Sequence, residues 1–237
     1  MPNNIIYSII IPGYKEEENL KLLLPQIKQA LKNKLDESEI IVVDTVEPLD
    51  NSKLVCQENG ARYINRFPSN FYGDAVRTGI KSAKGNWIIF MDADLSHTPE
   101  FISKFIARVE AGSCDLVIAS RYTHGGESEN GKLLVGMSKL LNYIYAKVLR
   151  IRCSDVSNSF RIYRADYLRS IKCTCNNFDV VEEILVELFK KYPNLNVVEI
   201  PYVFKKRVHG SSKRKLIGMM FGYLITLIKL SYRRYLK

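Results

Sequence analysis

Asp92 and Asp94 stand one residue apart where a short apolar run, 87–91, stops. The run is aromatic and β-branched and follows a Gly-Asn break, so it reads as a buried strand. Alternate side chains of a strand share a face, and the two carboxylates can therefore meet one point across Ala93. Two such anions repel unless a cation lies between them. Hard oxygen donors with few protein ligands suit Mg²⁺ or Mn²⁺ shared with a phosphate. The competing reading is a polar turn leading into a helix from 99, with Ser96 as its cap and His97 as a packing or capping residue.

Other polar residues fall at comparable places. The run 5–11 ends in Pro12-Gly13-Tyr14-Lys15-Glu16, the run 40–43 ends at Asp44, and the run 116–120 ends at Ser120-Arg121. Between these runs, helical spacing is expected over 16–32, 52–59, 74–83 and 99–110, with a further strand over 61–65. Gly85 is placed to close the helix over 74–83. Strands and helices alternate without repeats or Gly/Ser linkers, which predicts an α/β, Rossmann-like, mostly parallel sheet flanked by helices. Such sheets bind ligands outside the carboxyl ends of their strands, where the polar residues gather.

The second half reads differently. A Gly-rich polar loop over 124–131 precedes helices over 133–149 and 177–191. The cluster Ser157-Asn158-Ser159 runs into Phe160-Arg161, and a strand is expected over 195–204. Glu182 and Glu183 sit in the first turn of the second helix. They suit a general base for a hydroxyl acceptor, or equally an acidic first turn that favours the helix dipole.

Charge is concentrated at the C-terminal end. The chain has 237 residues and a net charge of +10; beyond Glu199 it carries ten Lys or Arg and no Asp or Glu. Arg207 and Lys213 flank Gly210 in a basic run, as a loop closing over pyrophosphate would. An apolar stretch over 216–230 follows, with basic groups on both sides. At about fifteen residues it falls short of the ~20 that span a bilayer. It predicts a membrane-surface helix, against the alternative of a core or oligomer-interface helix. The expected division is a catalytic domain over 1–211, whose halves meet near 120, and this helix over 212–237. No signal peptide is expected, and the five cysteines read as reduced thiols of a cytoplasmic protein on the inner membrane face. A nucleic-acid-binding module would interleave aromatic and basic residues on a sheet, which this tail does not do. A sugar nucleotidyltransferase would need a Gly-rich basic loop after the first strand, and 12–16 is not one.

Taken in order, these pieces resemble glycosyltransferase family 2. Pro12-Gly13-Tyr14-Lys15-Glu16 is similar to its Pro-Thr-Tyr-Asn-Glu opening, and Val42-Val43-Asp44 to its Val-Asp-Asp strand end. The segment from Asp92 to Glu100 resembles the metal motif of its polyprenol-phosphate sugar synthases. Ser120-Arg121-Tyr122, the segment Asp155 to Arg161, and Arg207 to Lys213 also follow that subgroup. The resemblance implies a GT-A fold, a nucleotide-sugar donor such as GDP-mannose or a UDP-sugar, Mg²⁺ or Mn²⁺, and inversion at the anomeric carbon. It implies nucleoside contacts from Pro12, Tyr14, Glu16 and Asp44, and metal ligation by Asp92 and Asp94. Arg207 and Lys213 would neutralise donor phosphates, and Arg121 would meet an acceptor phosphate. The acceptor implied is a polyprenyl phosphate, with a growing glycan as the rival; a membrane-protein partner or homo-oligomer is also open. Departures are Thr45 for the second Asp, Ser157-Asn158-Ser159-Phe160-Arg161 where Ser-Gly-Phe-Arg is usual, with an extra polar side chain in place of the Gly, and Leu134 where an Arg is usual.

Overall fold

The computed structural model describes residues 5–129, 131–205 and 216–236. A seven-stranded sheet forms its centre, in the order β3-β2-β1-β4-β7-β5-β8. The strands are β1 (Tyr7–Pro12), β2 (Ser38–Asp44), β3 (Arg62–Asn65), β4 (Trp87–Phe90), β5 (Leu116–Ser120), β7 (Arg161–Arg164) and β8 (Val197–Pro201). All neighbours pair in parallel except β7, which runs antiparallel to both β4 and β5. A small second sheet pairs β6 (Glu127–Ser128) with β9 (Val203–Phe204).

The strands are apolar throughout because both sheet faces are covered. Ile9, Ile11, Ile40, Val42, Ile89, Val117 and Ala119 pack on one side with α1 (Glu17–Leu31), α2 (Ser52–Glu58) and α4 (Phe101–Glu110). Ile10, Ile41, Val43, Ile88, Phe90 and Ile118 pack on the other with α3 (Tyr72–Ser82), α5 (Lys132–Val148), α6 (Ala165–Ser170) and α7 (Val180–Lys191). Leu230 of α8 (Leu216–Leu236) joins the second core and is fully buried.

Most expected elements appear within a few residues of their predicted limits. Gly85 is a correction. Helix α3 stops at Ser82, and Gly85 instead lies against β1, where a Cβ would come within 2.8 Å of the Ser8 amide nitrogen. The expected strand over 195–204 is broken at Tyr202 into β8 and β9, which belong to different sheets. Strand β7 and helix α6 had no expectation at all. All five cysteines are free thiols.

Candidate active site

The parallel βα units bring the carboxyl ends of β1, β2, β4 and β5 to one edge of the sheet, and the N-terminal approach to β7 joins them there. At the β1 end, Pro12 closes the strand, Tyr14 is 51% exposed, and Lys15 takes a left-handed φ of 58°. Glu16 precedes α1 and accepts a hydrogen bond from Asn19. Beside them, Asp44 is buried. Its Oδ2 accepts the Tyr63 hydroxyl at 3.0 Å, while Oδ1 has no hydrogen-bond partner. A buried unpaired carboxylate oxygen is costly, so this atom is set for a donor group that none of the described residues supplies. Gly13 keeps the approach low; a Cβ there would stand 3.6 Å from the same oxygen.

Arg66, which sequence reasoning passed over, stitches this corner together. Its buried guanidinium donates to the main-chain oxygens of Gly13, Val43, Asp44, Asn70 and Phe71. Thr45, standing where the family has a second Asp, is buried and donates its hydroxyl to the Glu47 carbonyl at 2.6 Å.

At the β4 end, Asp92 is partly exposed and Asp94 buried. Ser159 donates to Asp92, 3.2 Å from either carboxylate oxygen, and the Tyr72 hydroxyl stands 3.4 Å from Oδ1. Burial, then the Asp92 charge, pushes the Tyr72 phenol well above its usual pKa and keeps it a neutral donor. The Asp92 amide donates to His97 Nδ1 at 2.9 Å, so the imidazole proton sits on Nε2, 3.8 Å from Asp92 Oδ2. His97 is wholly buried and stacked on Phe160 at 4.6 Å; burial lowers its pKa and favours the neutral ring. Ser96 corrects the expectation of a helix cap. Leu95 turns through a φ of 62°, and Ser96 donates both its amide (3.1 Å) and its hydroxyl (2.5 Å) to Asp94 Oδ1. Helix α4 starts only at Phe101.

At the end of β5 the site is built from internal ion pairs. Asp155 is fully buried and accepts the Arg121 amide, Nε and Nη2 at 2.9, 2.8 and 2.7 Å. Arg121 Nη2 also reaches Ser157 Oγ at 2.9 Å, and its guanidinium lies 5.0 Å from the Tyr122 ring. Burial alone would lower the Arg121 pKa, but pairing with Asp155 raises it on balance, fixing the positive charge. Asn158 donates to the Ala119 carbonyl at 2.5 Å.

Glu182 and Glu183 part company. Glu182 is buried at a narrow pocket lined by Asn142, Tyr145, Ser157 and Tyr223. Glu183 is fully buried and accepts the amides of Thr174 and Cys175, the Thr174 hydroxyl, and Arg233 of α8. That carboxylate ties the segment before α7 to α8 and is not presented to the cleft, which corrects its expected role as a base. Arg207 and Lys213 lie outside the described residues.

The fit to a cation rests on this donor set. Asp92 and Asp94 offer hard oxygens at one strand end, with the hydroxyl of Ser159 orienting the first of them. Among the described residues no group of three or more His, Cys, Asp or Glu gathers as a closed metal site. The arrangement suits an ion that takes its remaining ligands from substrate oxygens and water. Ser159 was discoverable only through pairing: extending the β4–β7 register by two residues sets it opposite Asp92.

Comparison with known proteins agrees with this architecture. Residues 8–172 match the profile of Glycosyl transferase family 2. The chain is 36% identical over 216 residues to a dolichol-phosphate mannosyltransferase of Pyrococcus furiosus, covering 88% of this chain and 59% of that protein. It is 29% identical over 218 residues to an undecaprenyl-phosphate mannosyltransferase of Micrococcus luteus, covering 86% and 85%. The chain thus spans about three fifths of the first of these relatives. Among solved structures, glucosyl-3-phosphoglycerate synthase from Mycobacterium tuberculosis, in complex with Mn²⁺, UDP and glucosyl-3-phosphoglycerate, superimposes with a TM-score of 0.70 at 16% identity, covering 97% of this chain and 80% of that one. That likeness establishes the fold, a GT-A arrangement.

Proposed function

The chain belongs to glycosyl transferase family 2, and we propose that it moves a sugar from a nucleotide sugar to a polyprenyl phosphate at a membrane surface. One observation carries the reading: the unpaired Asp44 oxygen, the Asp92–Asp94 pair and Arg121 all sit at one edge of the sheet, at the ends of β2, β4 and β5. Pro12, Tyr14, Glu16 and Asp44 hold the nucleoside, with Asp44 Oδ1 accepting a donor from the base or ribose. Asp92 and Asp94 hold Mg²⁺ or Mn²⁺, which when bound neutralises charge on the departing nucleoside diphosphate. Arg207 and Lys213 add positive charge to the same phosphates.

Arg121 contributes differently. Asp155 engages Nε and Nη2, leaving the outer part of the guanidinium and the Ser157 hydroxyl as the polar group facing an acceptor phosphate. A phosphate acceptor is already an anion and attacks the anomeric carbon in line with the leaving group, with inversion and little help from a base. In the second reading the acceptor is a growing glycan, and Glu182 takes the proton of its hydroxyl. Leu134, exposed on α5 where relatives carry an arginine, favours that alternative. GDP-mannose is the first donor to test.

Membrane contact falls to α8 and its neighbour α5, which meet at Tyr145–Tyr223 and Tyr235–Val148. Leu224, Ile225 and Ile228 on α8, and Leu133, Leu140 and Tyr143 on α5, are exposed. No helix among the described residues is long and apolar enough to cross a bilayer. A peripheral position on the inner face of the membrane fits these features, with Arg233 and Arg234 near the end of α8.

A melting-temperature screen of GDP- and UDP-sugars with Mn²⁺ tests the donor site, since a ligand of the folded state raises the melting point. A rise with one nucleotide series that needs the metal is expected; no rise with either would refute the donor reading.

A further inference from the structure

Tyr72 reaches the metal carboxylate from outside the Asp92 motif, and it does so on a scaffold built from the far end of the chain. Its ring stacks on Phe178 with centroids 4.1 Å apart and planes 14° from parallel, while its hydroxyl stands 3.4 Å from Asp92 Oδ1. That contact is long for a hydroxyl–carboxylate hydrogen bond, so small shifts of the ring make or break it.

The segment carrying Phe178 is clamped from two sides. On the α3 side, the Gly73 amide donates to Asn176 O at 2.7 Å, and Arg77 Nη1 donates to Cys175 O at 2.6 Å. The approach requires glycine: a Cβ on Gly73 would lie 2.0 Å from the Cys175 carbonyl oxygen. On the α8 side, Lys229 Nζ stands 3.1 Å from Asp179 Oδ2, and Asp179 Oδ1 accepts the Asn177 amide at 3.1 Å. Arg233 adds bonds to Glu183 and to the Thr174 hydroxyl, and Glu183 also holds the Thr174 and Cys175 amides. Every residue from Thr174 to Asp179 is therefore pinned between α3 and α8 by its own contact or a neighbour's.

We infer that Tyr72, backed by Phe178, is a positioning residue that orients Asp92 toward the metal, and that Lys229 and Arg233 of α8 set how firmly it is held. The inference rests on the metal role proposed above for Asp92. It makes the helix that carries the membrane-facing side chains also a brace for the donor site. The coupling needs no movement: among the described residues, the stacked pair supplies one hydroxyl contact to Asp92 and Ser159 the other.

Mn²⁺ affinity provides the test, read by electron paramagnetic resonance in the full chain with saturating GDP or UDP, whichever raises the melting temperature more. Tyr72→Phe keeps the stack and removes only the hydroxyl; Phe178→Ala removes the stack. Each is expected to weaken Mn²⁺ binding roughly three- to tenfold, the size of one hydrogen bond, with the melting temperature little changed. Lys229→Ala is expected to shift affinity in the same direction by less. Combined with Tyr72→Phe it should add nothing, because both act through one contact. Lys34→Ala, which breaks surface pairs with Glu37 and Glu110, should leave affinity unchanged. Wild-type affinity in both Tyr72→Phe and Phe178→Ala overturns the positioning role, and full additivity of Lys229→Ala with Tyr72→Phe overturns the brace. Failure of the wild-type chain to bind Mn²⁺ would instead sink the metal reading itself.

Discussion

The two sides of the site solve opposite problems. On the side proposed for the donor, among the described residues, Asp44 keeps an unpaired buried oxygen, and Asp92 is partly open beside the Ser159 and Tyr72 hydroxyls and the His97 ring. On the side proposed for the acceptor, most charged groups are held by internal partners, with Arg161 Nε left unpaired among the described residues. Arg121 is locked to Asp155, Glu183 to Arg233 and two amides, and the fully buried Arg161 to the Val156 and Val181 carbonyls. Polar residues that repel or lack partners mark where a ligand must complete the structure. Polar residues that satisfy each other mark where the fold is holding its own shape. Substitutions should therefore divide, harming chemistry first on one side and stability first on the other, with Arg121, both ion-paired and turned toward the acceptor, affecting the two together.

The largest effect should come from the donor side. Asp94→Ala removes an oxygen proposed for the metal and is expected to lower kcat by on the order of 10²–10³-fold or more, with a melting temperature within a few degrees of wild type. Chelation by EDTA should reproduce the loss, and Mn²⁺ or Mg²⁺ should restore it. Near-normal turnover in Asp94→Ala would erase the distinction between the sides.

Next comes the buried pair. Arg121→Ala leaves Asp155 charged and unpaired, and should cost about 3–5 kcal/mol in denaturant unfolding, as breakage of a buried ion pair does. A loss below about 1 kcal/mol would mean that Asp155 is not sealed by Arg121. Glu183→Gln keeps the shape but drops the charge that Arg233 and two amides address, and is expected to lose about 1.5–3 kcal/mol. Since Glu183 does not face the cleft, kcat per folded molecule should hold; a selective collapse of kcat would return it to the role of base. Asn158→Ala should cost only about 1 kcal/mol through the lost bond to the Ala119 carbonyl. A separate check concerns the membrane face. Ile225→Glu with Ile228→Glu should reduce flotation with anionic vesicles while leaving the buried Leu230 contact in place; undiminished flotation would remove α8 from that surface.

How far the sequence could be read follows the same division. Donor-side residues were legible because parallel strands separated by helices send every strand end to one edge, so Asp44 and Asp92 announce their position by following an apolar run. Strand β7 was not legible. It is four residues long, begins and ends in arginine, and inserts antiparallel between β4 and β5. Without that insertion Ser159 cannot be set beside Asp92. Glu183 stayed open between a base and an acidic first turn, because such a turn looks alike whether it faces a substrate or a neighbouring loop; its partners, Thr174, Cys175 and Arg233, come from elsewhere in the chain. Tyr72 escaped notice for the same reason, since its link to Asp92 exists only after α3 has folded onto β4.

The most direct measurement of the central claim is a transfer assay with the full chain, labelled GDP-mannose or UDP-sugar, Mn²⁺ and a polyprenyl phosphate in detergent, run beside Asp94→Ala. The account predicts label in the lipid phase as a polyprenyl-phosphate sugar, dependent on the metal and absent with Asp94→Ala. Label that moves only to added glycan, or reaches lipid equally well with Asp94→Ala, would contradict it.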